Sequence, residues 1–231
     1  MKFCLFSYSD NERVYNMSYT SFVKYCNHNN YDFIPFTTSL INNNEMKPHW
    51  NKLLYAIKLL KSNNDCNYFV WFDHDIIIKN FNITLESIVK DYKFDSSEAL
   101  VMMSNDPCAN YPFNSGVIVF KNNSKTLKLF ETMMELKNTP DKYDWAKKRW
   151  KYYKYGSDFS KGMQDSRVID MYFKEFPHHL LTVPHGVLQS FFHSKFYHLG
   201  DFCGHVVSYQ GNVLVSKMNQ LNDNILPWNR L

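Results

Sequence analysis

Residues 68–75, YFVWFDHD, decide the fold class of this chain. The first five residues are all apolar or aromatic, which is typical of a strand that is buried on both faces of a sheet. The acidic pair Asp73 and Asp75 follows this strand directly. In open α/β sheets, ligands bind beyond the carboxyl ends of the strands, so the pair stands where a ligand site is expected.

Strands and helices alternate around this segment. Apolar spacing of 3 and 4 residues predicts helices over 19–28, 50–61, 85–90, 124–137 and 164–173. Short apolar runs predict the other strands, at 1–8, 31–36, 99–104, 113–120 and 180–184. This alternation predicts a mixed α/β sheet with helices packed on it, in a single domain. Residues 9–12, SDNE, are interpreted as a polar turn in which Asp10 is an ordinary turn residue.

Composition excludes several functional classes. The 231 residues are 45% hydrophobic and 21% charged, which is typical of a globular chain with a sizeable core. The formal net charge of +4 is mild, and the chain contains no recognisable nucleic-acid-binding module, so we expect no nucleic-acid partner. No run of 18 apolar residues is present, so we expect no membrane span.

The cysteines indicate the compartment. They are five in number, they form no CxxC motif, and the closest two are 22 residues apart. This pattern predicts free thiols instead of a disulfide framework or a zinc site. The start of the chain also has no secretory signal pattern. We therefore expect a soluble protein of a reducing, cytoplasmic compartment.

Asp73 and Asp75 suggest metal chemistry. Residues two apart on a strand share a face, so both carboxylates can reach one ion, and hard oxygen ligands suit Mg²⁺ or Mn²⁺. The alternative is a turn with two solvated acids, and the aromatic strand before the pair favours the metal. His205 is a candidate third ligand, and Gly204 beside it would allow the backbone to approach a ligand closely. A histidine satisfied within the core remains the alternative for His205.

Five motifs carry a resemblance to a known family. They are WNK at 50–52, VWFDHD at 70–75, NSGV at 114–117, MQD at 163–165 and GDFCGH at 200–205. In order and approximate spacing they resemble glycosyltransferase family 34, whose members are α-galactosyl-, α-xylosyl- and α-mannosyltransferases with a GT-A fold. The resemblance implies one GT-A domain over 1–231, in which about 1–110 bind the nucleotide and 111–231 bind the acceptor. Eukaryotic members usually carry an N-terminal membrane anchor that this chain lacks, which suggests a stand-alone enzyme of a large DNA virus or a microbe.

The resemblance also implies an activity and a set of site residues. The enzyme would transfer a sugar from a nucleotide-diphosphate sugar, expected to be a UDP-sugar, to an oligosaccharide or glycoprotein glycan, with retention of anomeric configuration. Mn²⁺ or Mg²⁺ would be held by Asp73, Asp75 and His205. The nucleotide and its phosphates would contact Ser7, Tyr8, Ser9, Lys52, Asp73, His74, Ser115 and Gly204. The reacting sugars would face Asn114, Gln164 and Asp165. By helix position alone, however, Lys52 is expected to be a solvated surface lysine.

Two other functions stay open. A haloacid-dehalogenase-like phosphatase also has two acids after an apolar strand, and its first acid, here Asp73, is a nucleophile. That motif normally lies near the N-terminus, and Thr or Val is expected where Ile77 stands. The other alternative is a glycan-binding module that kept the fold and lost catalysis. The retained metal-binding residues argue against it, and Mn²⁺-dependent hydrolysis of a sugar nucleotide would separate the two.

Overall fold

The computed structural model describes residues 1–41, 48–62, 65–107, 112–138, 143–144, 165–192, 197–206 and 211–223. The strands are β1 (Phe3–Tyr8), β2 (Asp32–Phe36), β3 (Tyr68–Phe72), β4 (Ile76–Ile78), β5 (Val101–Ser104), β6 (Asn114–Lys121), β7 (Leu180–Val183), β8 (Ser190–Phe191) and β9 (Cys203–His205). The helices are α1 (Glu12–Asn29), α2 (Asn51–Lys61), α3 (Leu85–Asp91), α4 (Ser124–Asn138), α5 (Asp165–Glu175) and α6 (Gly211–Asn222). Single 3₁₀ turns occur at Pro48–Trp50 and Pro177–His179.

The larger of two sheets has the strand order β2-β1-β3-β6-β5-β7. Strands β2, β1 and β3 are parallel, whereas β6 is antiparallel to both of its neighbours, β3 and β5. Strand β7 is again parallel to β5. The smaller sheet has the order β4-β9-β8, and three residues of the chain separate its strand β4 from β3. The predicted mixed α/β architecture is confirmed.

Strand β3 lies in the centre of the larger sheet, and its side chains enter two core layers. Phe69 and Trp71 belong to the layer that includes residues of α2, α4 and α5. Val70 and Phe72 belong to the layer that includes residues of α1 and α3. Helices therefore cover both faces of the sheet, which explains why the strand is apolar at every position and does not alternate.

The helices agree with their apolar patterns except at the start of α1. The predicted helices at 50–61, 85–90, 124–137 and 164–173 are confirmed to within two residues at each end. Helix α1 begins at Glu12 instead of residue 19, because Asn11 caps it by accepting a hydrogen bond from the Val14 amide at 3.3 Å. Of the described helices, none is both long enough and apolar enough to cross a bilayer.

Helix α6, which the sequence analysis did not predict, packs on the smaller sheet. Ile77 of β4 and Val206 contact a cluster that includes Met218 and Leu221 of α6. A Cβ atom at Gly204 would lie 2.5 Å from Leu221 Cδ1. A side chain at position 204 would therefore displace Leu221 of α6. The expected close approach of a ligand to Gly204 stays a prediction.

The structure joins Cys4 of β1 to Cys66, near the start of β3, in a disulfide with a Cα–Cα distance of 6.0 Å. The prediction of free thiols is wrong for this pair, because the parallel pairing of β1 with β3 brings together cysteines that are 62 residues apart. Cys26 and Cys203 are buried free thiols, and Cys108 lies outside the described residues. The disulfide removes one of the two grounds for expecting a reducing compartment.

Candidate functional site

The side chains of Asp73, Asp75 and His205 meet at the end of β3. One carboxylate oxygen of each aspartate and one ring nitrogen of His205 lie within 4.8 Å of one another. The antiparallel pairing of β4 with β9 causes this meeting, because it sets His205 opposite Ile76. His205 Nε2 lies 3.2 Å from Asp75 Oδ1. The structure thus brings together the three residues that the sequence indicated, and their role as ligands stays a prediction.

This group suits a divalent cation. Two hard carboxylates with one imidazole are a donor set that Mn²⁺ or Mg²⁺ accepts. The side chains of Asp73 and Asp75 are 26% and 19% exposed, so a cation could reach them from solvent. Burial alone would raise the pKa of Asp75, but the charge of His205 and its hydrogen bond outweigh burial and lower that pKa. Asp75 is therefore ionised at neutral pH, as a metal ligand must be.

Lys52 lies behind Asp73 and is only 5% exposed. Its Nζ lies 3.2 Å from Asp73 Oδ1 and 3.2 Å from Asp165 Oδ2, and it donates a hydrogen bond to the Ser115 carbonyl at 3.2 Å. Burial alone would lower the pKa of Lys52, but the carboxylates of Asp165 and Asp73 raise it well above its usual value. Lys52 is therefore a permanent cation between two acids. The expectation of a solvated lysine is wrong, because α2 turns this residue towards the end of β3.

A cavity of about 280 Å³ lies beside the carboxylates. Its lining includes four residues expected to contact the nucleotide or its phosphates, namely Tyr8, Lys52, Asp73 and His74. Asp10 also lines it, although the sequence suggested an ordinary turn residue. The start of α1 at Glu12 explains this position, because it leaves Asp10 in the short connection that follows the carboxyl end of β1.

Ser7 and Ser9, two of the predicted nucleotide contacts, are not among the residues that line the cavity. Ser7 is fully buried within β1 and does not line the described cavity, since neighbouring strand residues face opposite sides and Tyr8 takes the cavity side. Ser9 is also buried, and its hydroxyl accepts a hydrogen bond from the Asn11 amide at 3.1 Å. Ser9 therefore shapes the start of α1.

The predicted sugar-facing residues are divided between two places. Asp165 begins α5, and His49 Nε2 lies 3.6 Å from its Oδ1, on the side away from Lys52. Asn114 begins β6 and donates a hydrogen bond to Asp106 at 3.2 Å. Gln164 lies outside the described residues.

Gln189 belongs to the site, although the sequence analysis did not identify it. It is fully buried, and its Oε1 lies 2.7 Å from His205 Nδ1. Gln189 directly precedes β8, a strand of two residues. So short an element has no periodic pattern, so the sequence contained no local signal for this residue.

A comparison with protein families agrees with these observations. Residues 5–96 match the model of the galactosyl transferase GMA12/MNN10 family, which is glycosyltransferase family 34. The matched segment contains Lys52, Asp73 and Asp75. The predicted resemblance to this family is confirmed. Among curated proteins, none matches the sequence.

Solved structures show the fold. A glycosyltransferase involved in the glycosylation of the major capsid of PBCV-1 superposes with a TM-score of 0.70 at 16% identity, covering 95% of this chain and 100% of that chain. The chain has the GT-A fold. The galactosyltransferase LgtC, in complex with donor and acceptor sugar analogues, gives a TM-score of 0.55 at 12% identity over 96% of this chain and 95% of that chain. A mutant of the Drosophila β-1,4-galactosyltransferase 7 was solved in complex with manganese, UDP-Gal and xylobiose. It gives a TM-score of 0.50 at 12% identity, covering 90% of this chain and 72% of that chain.

The family match and the GT-A fold together confirm the predicted enzyme class, a glycosyltransferase. They do not favour the phosphatase. Asp73 Oδ1 accepts a hydrogen bond from Trp71 Nε1 at 2.7 Å and lies beside Lys52.

Proposed function

We propose that this chain transfers a sugar from a UDP-sugar to a glycan acceptor in a reaction that requires a bound divalent cation. The observation that carries the proposal is the convergence of Asp73, Asp75 and His205 beside the cavity. The related fold of the Drosophila galactosyltransferase, which was solved with manganese and UDP-Gal, supports the choice of cation and donor.

Three residues of the chain would hold the cation, and Lys52 would keep one of these ligands in place. Asp73, Asp75 and His205 would hold Mn²⁺ or Mg²⁺. The bound cation would supply positive charge to the diphosphate as it leaves the sugar, which is a main electrostatic contribution in such reactions. Lys52 would keep Asp73 in place, because its ammonium group is buried against that carboxylate.

The cavity is proposed as the donor site. Its lining spans residues 8 to 75, all within the predicted nucleotide-binding half, about 1–110. Tyr8 offers an aromatic ring, and Asp10 offers a hydrogen-bond acceptor for the hydroxyl or amide groups of a nucleoside. The acceptor half, 111–231, and Gln164 within it remain predictions.

Asp165 is proposed to act indirectly. Its two carboxylate oxygens lie beside Lys52 and His49, at 3.2 and 3.6 Å, so it holds Lys52 against Asp73 and is poorly placed to attack a sugar. The expected retention of configuration rests on the family resemblance. Proton NMR of the first product formed would measure it, since the anomeric coupling constant distinguishes retention from inversion.

Release of UDP tests the proposed function. The purified chain is incubated with a panel of UDP-sugars, with Mn²⁺ or with a chelator, and free UDP is measured with and without glycan acceptors. We expect UDP release from at least one donor that requires Mn²⁺ and rises with acceptor. The absence of release from every donor, or release that the chelator leaves unchanged, would contradict the proposal. Glycan binding without any release would support the inactive glycan-binding module.

A further inference from the structure

A chain of buried hydrogen bonds connects His205 to the start of β6. Gln189 Oε1 lies 2.7 Å from His205 Nδ1, and Gln189 Nε2 donates to the carbonyl oxygen of Asn114 at 3.1 Å and to its side-chain Oδ1 at 2.9 Å. Asn114 Oδ1 in turn accepts a hydrogen bond from the backbone amide of Gly116 at 2.8 Å. This series of hydrogen bonds thus ends on a backbone N–H group, which can act only as a donor.

The backbone amide of Gly116 fixes the direction of every hydrogen bond in this series. An N–H group can only donate, so the Asn114 atom facing Gly116 is the oxygen. Because that oxygen and the Asn114 carbonyl are both acceptors, the Gln189 atom facing them must be the amide nitrogen. The Gln189 oxygen therefore faces His205, and Nδ1 of His205 must carry a hydrogen.

Gly116 also provides the space for this contact. A Cβ atom at this position would lie 2.5 Å from Gln189 Oε1 and 2.6 Å from His205 Nδ1. Both distances are too short for a real side chain, so any other residue would push the two groups apart. The glycine of the NSGV motif is thus explained by the contact between Gln189 and His205.

The other nitrogen of His205 points towards the acids. Nε2 lies 3.2 Å from Asp75 Oδ1, on the side where the three candidate ligands meet. When Nδ1 carries the hydrogen, a neutral imidazole has its lone pair on Nε2. We propose that Gln189 is a positioning residue that selects the Nδ1–H form of His205 and so presents Nε2 to the cation. Asn114, which was expected to face the sugar, would then act by orienting Gln189.

The part of this inference that concerns the cation rests on the proposed function, so the first experiment uses the protein without metal. Long-range ¹⁵N–¹H NMR at a pH where histidines are neutral distinguishes the two ring forms. A His205→Gln variant identifies the His205 signal by its loss. In the metal-free chain the Asp75 carboxylate also faces Nε2 and competes for the hydrogen, so the ring form is measured in an Asp75→Ala variant. We expect the Nδ1–H form there, and the Nε2–H form would overturn the inference whether or not a cation binds.

The second experiment measures Mn²⁺ affinity by electron paramagnetic resonance of the free ion. Gln189→Met keeps the length of the side chain and removes its acceptor, so we expect binding to weaken by about 10–100-fold and the Nδ1–H preference to be lost. Ser190→Ala, a change at the next buried residue, is the control and should leave Mn²⁺ affinity unchanged.

The outcomes separate the inference from the proposed function. A folded Gln189→Met variant with wild-type affinity and an unchanged ring form would overturn the inference, as would an equal loss in Ser190→Ala. If Gln189→Met does not fold, the NMR result for Asp75→Ala decides alone. If the wild-type chain binds no Mn²⁺, the proposed metal requirement fails, while the ring form of His205 still tests the role of Gln189.

Discussion

The two sides of the candidate metal site neutralise their carboxylates differently. Asp73 Oδ1 lies 3.2 Å from Lys52 Nζ and accepts a hydrogen bond from Trp71, and neither partner changes its charge near neutral pH. Asp75 Oδ1 lies 3.2 Å from His205 Nε2, the ring nitrogen that has a lone pair when Nδ1 carries the hydrogen. The Asp73 side is thus a permanent ion pair, and the Asp75 side is where a cation can bind.

The difference predicts what each side contributes. Lys52 and Asp165 are both buried behind Asp73, with side chains 5% and 8% exposed, so the loss of one partner would leave an unpaired charge in the interior. Asp75 is more accessible, and its imidazole partner can be neutral. We therefore expect changes on the Asp73 side to lower the free energy of unfolding, and changes on the Asp75 side to weaken cation binding.

The largest effect on activity is expected from Asp75→Asn. A neutral amide is a poor substitute for an anionic ligand, so Mn²⁺-dependent release of UDP from the UDP-sugar should fall to background. Because Asp75 lies in the connection between β3 and β4, the fold should persist, which circular dichroism would confirm. Asp91→Asn, the same change at the exposed end of α3, is the matched control and should behave as wild type. Wild-type turnover in Asp75→Asn would contradict the assignment of cation binding to the Asp75 side of the site.

The largest effect on stability is expected from Lys52→Met. Removal of the buried ammonium leaves two carboxylates without their cation, and breaking such a pair typically costs about 3–5 kcal/mol. Urea denaturation of the metal-free protein measures this loss. The double variant Lys52→Met/Asp165→Asn should recover part of it, because one of the two unpaired charges is then gone. A loss below about 1 kcal/mol in the single variant would mean that Lys52 is not the permanent partner of these acids.

A smaller effect than these two is expected from His205→Ala, and it concerns the affinity for Mn²⁺. The cation would lose its nitrogen ligand, and affinity for Mn²⁺ should fall at least as much as the roughly 10–100-fold that accompanies loss of a group supporting a ligand. Isothermal titration with Mn²⁺ in the presence of UDP measures the change. The free energy of unfolding without metal should fall less than in Lys52→Met. Unchanged Mn²⁺ affinity in the folded variant would instead identify His205 as a core histidine.

The smallest effect on the site is expected from loss of the disulfide. Cys4 lies four residues before Tyr8 on β1, away from the cavity, so the double variant Cys4→Ser/Cys66→Ser should keep wild-type Mn²⁺ affinity. Its stability should fall by about 2–4 kcal/mol, because the unfolded chain loses a long loop constraint. Alkylation without reductant, followed by mass spectrometry, should leave Cys4 and Cys66 unmodified in the wild type. Modification of both would restore the prediction of free thiols.

The part of the site that lies in one segment was predictable. Residues 68–75 combine a fully buried strand with the acids that follow it, and such a pattern needs no knowledge of distant contacts. His205 could be proposed only from the glycine beside it and from the family resemblance, since about 130 residues separate it from Asp75. The register of β4 with β9 is what brings them together.

The parts that depend on long-range packing were not predictable. Gln189 acquires its role from contacts with β6 and β9, and its neighbours in the sequence form no periodic pattern. The sequence did not identify Asp10 as a site residue because residues 9–12 have the composition of a polar turn, although the buried positions of α1 keep helical spacing from Val14 onward. Lys52 would be a surface lysine in an isolated helix, and only the approach of α2 to the ends of β3 and α5 buries it.

The central claim is that Asp73, Asp75 and His205 hold one divalent cation. Anomalous diffraction at the manganese absorption edge, from a crystal soaked with Mn²⁺ and UDP, tests it most directly. We predict one anomalous peak within bonding distance of the Asp75 carboxylate and of His205 Nε2, with Asp73 in its coordination shell. A manganese ion bound elsewhere while these three side chains remain unligated, or a peak bonded to His205 Nδ1, would contradict the account.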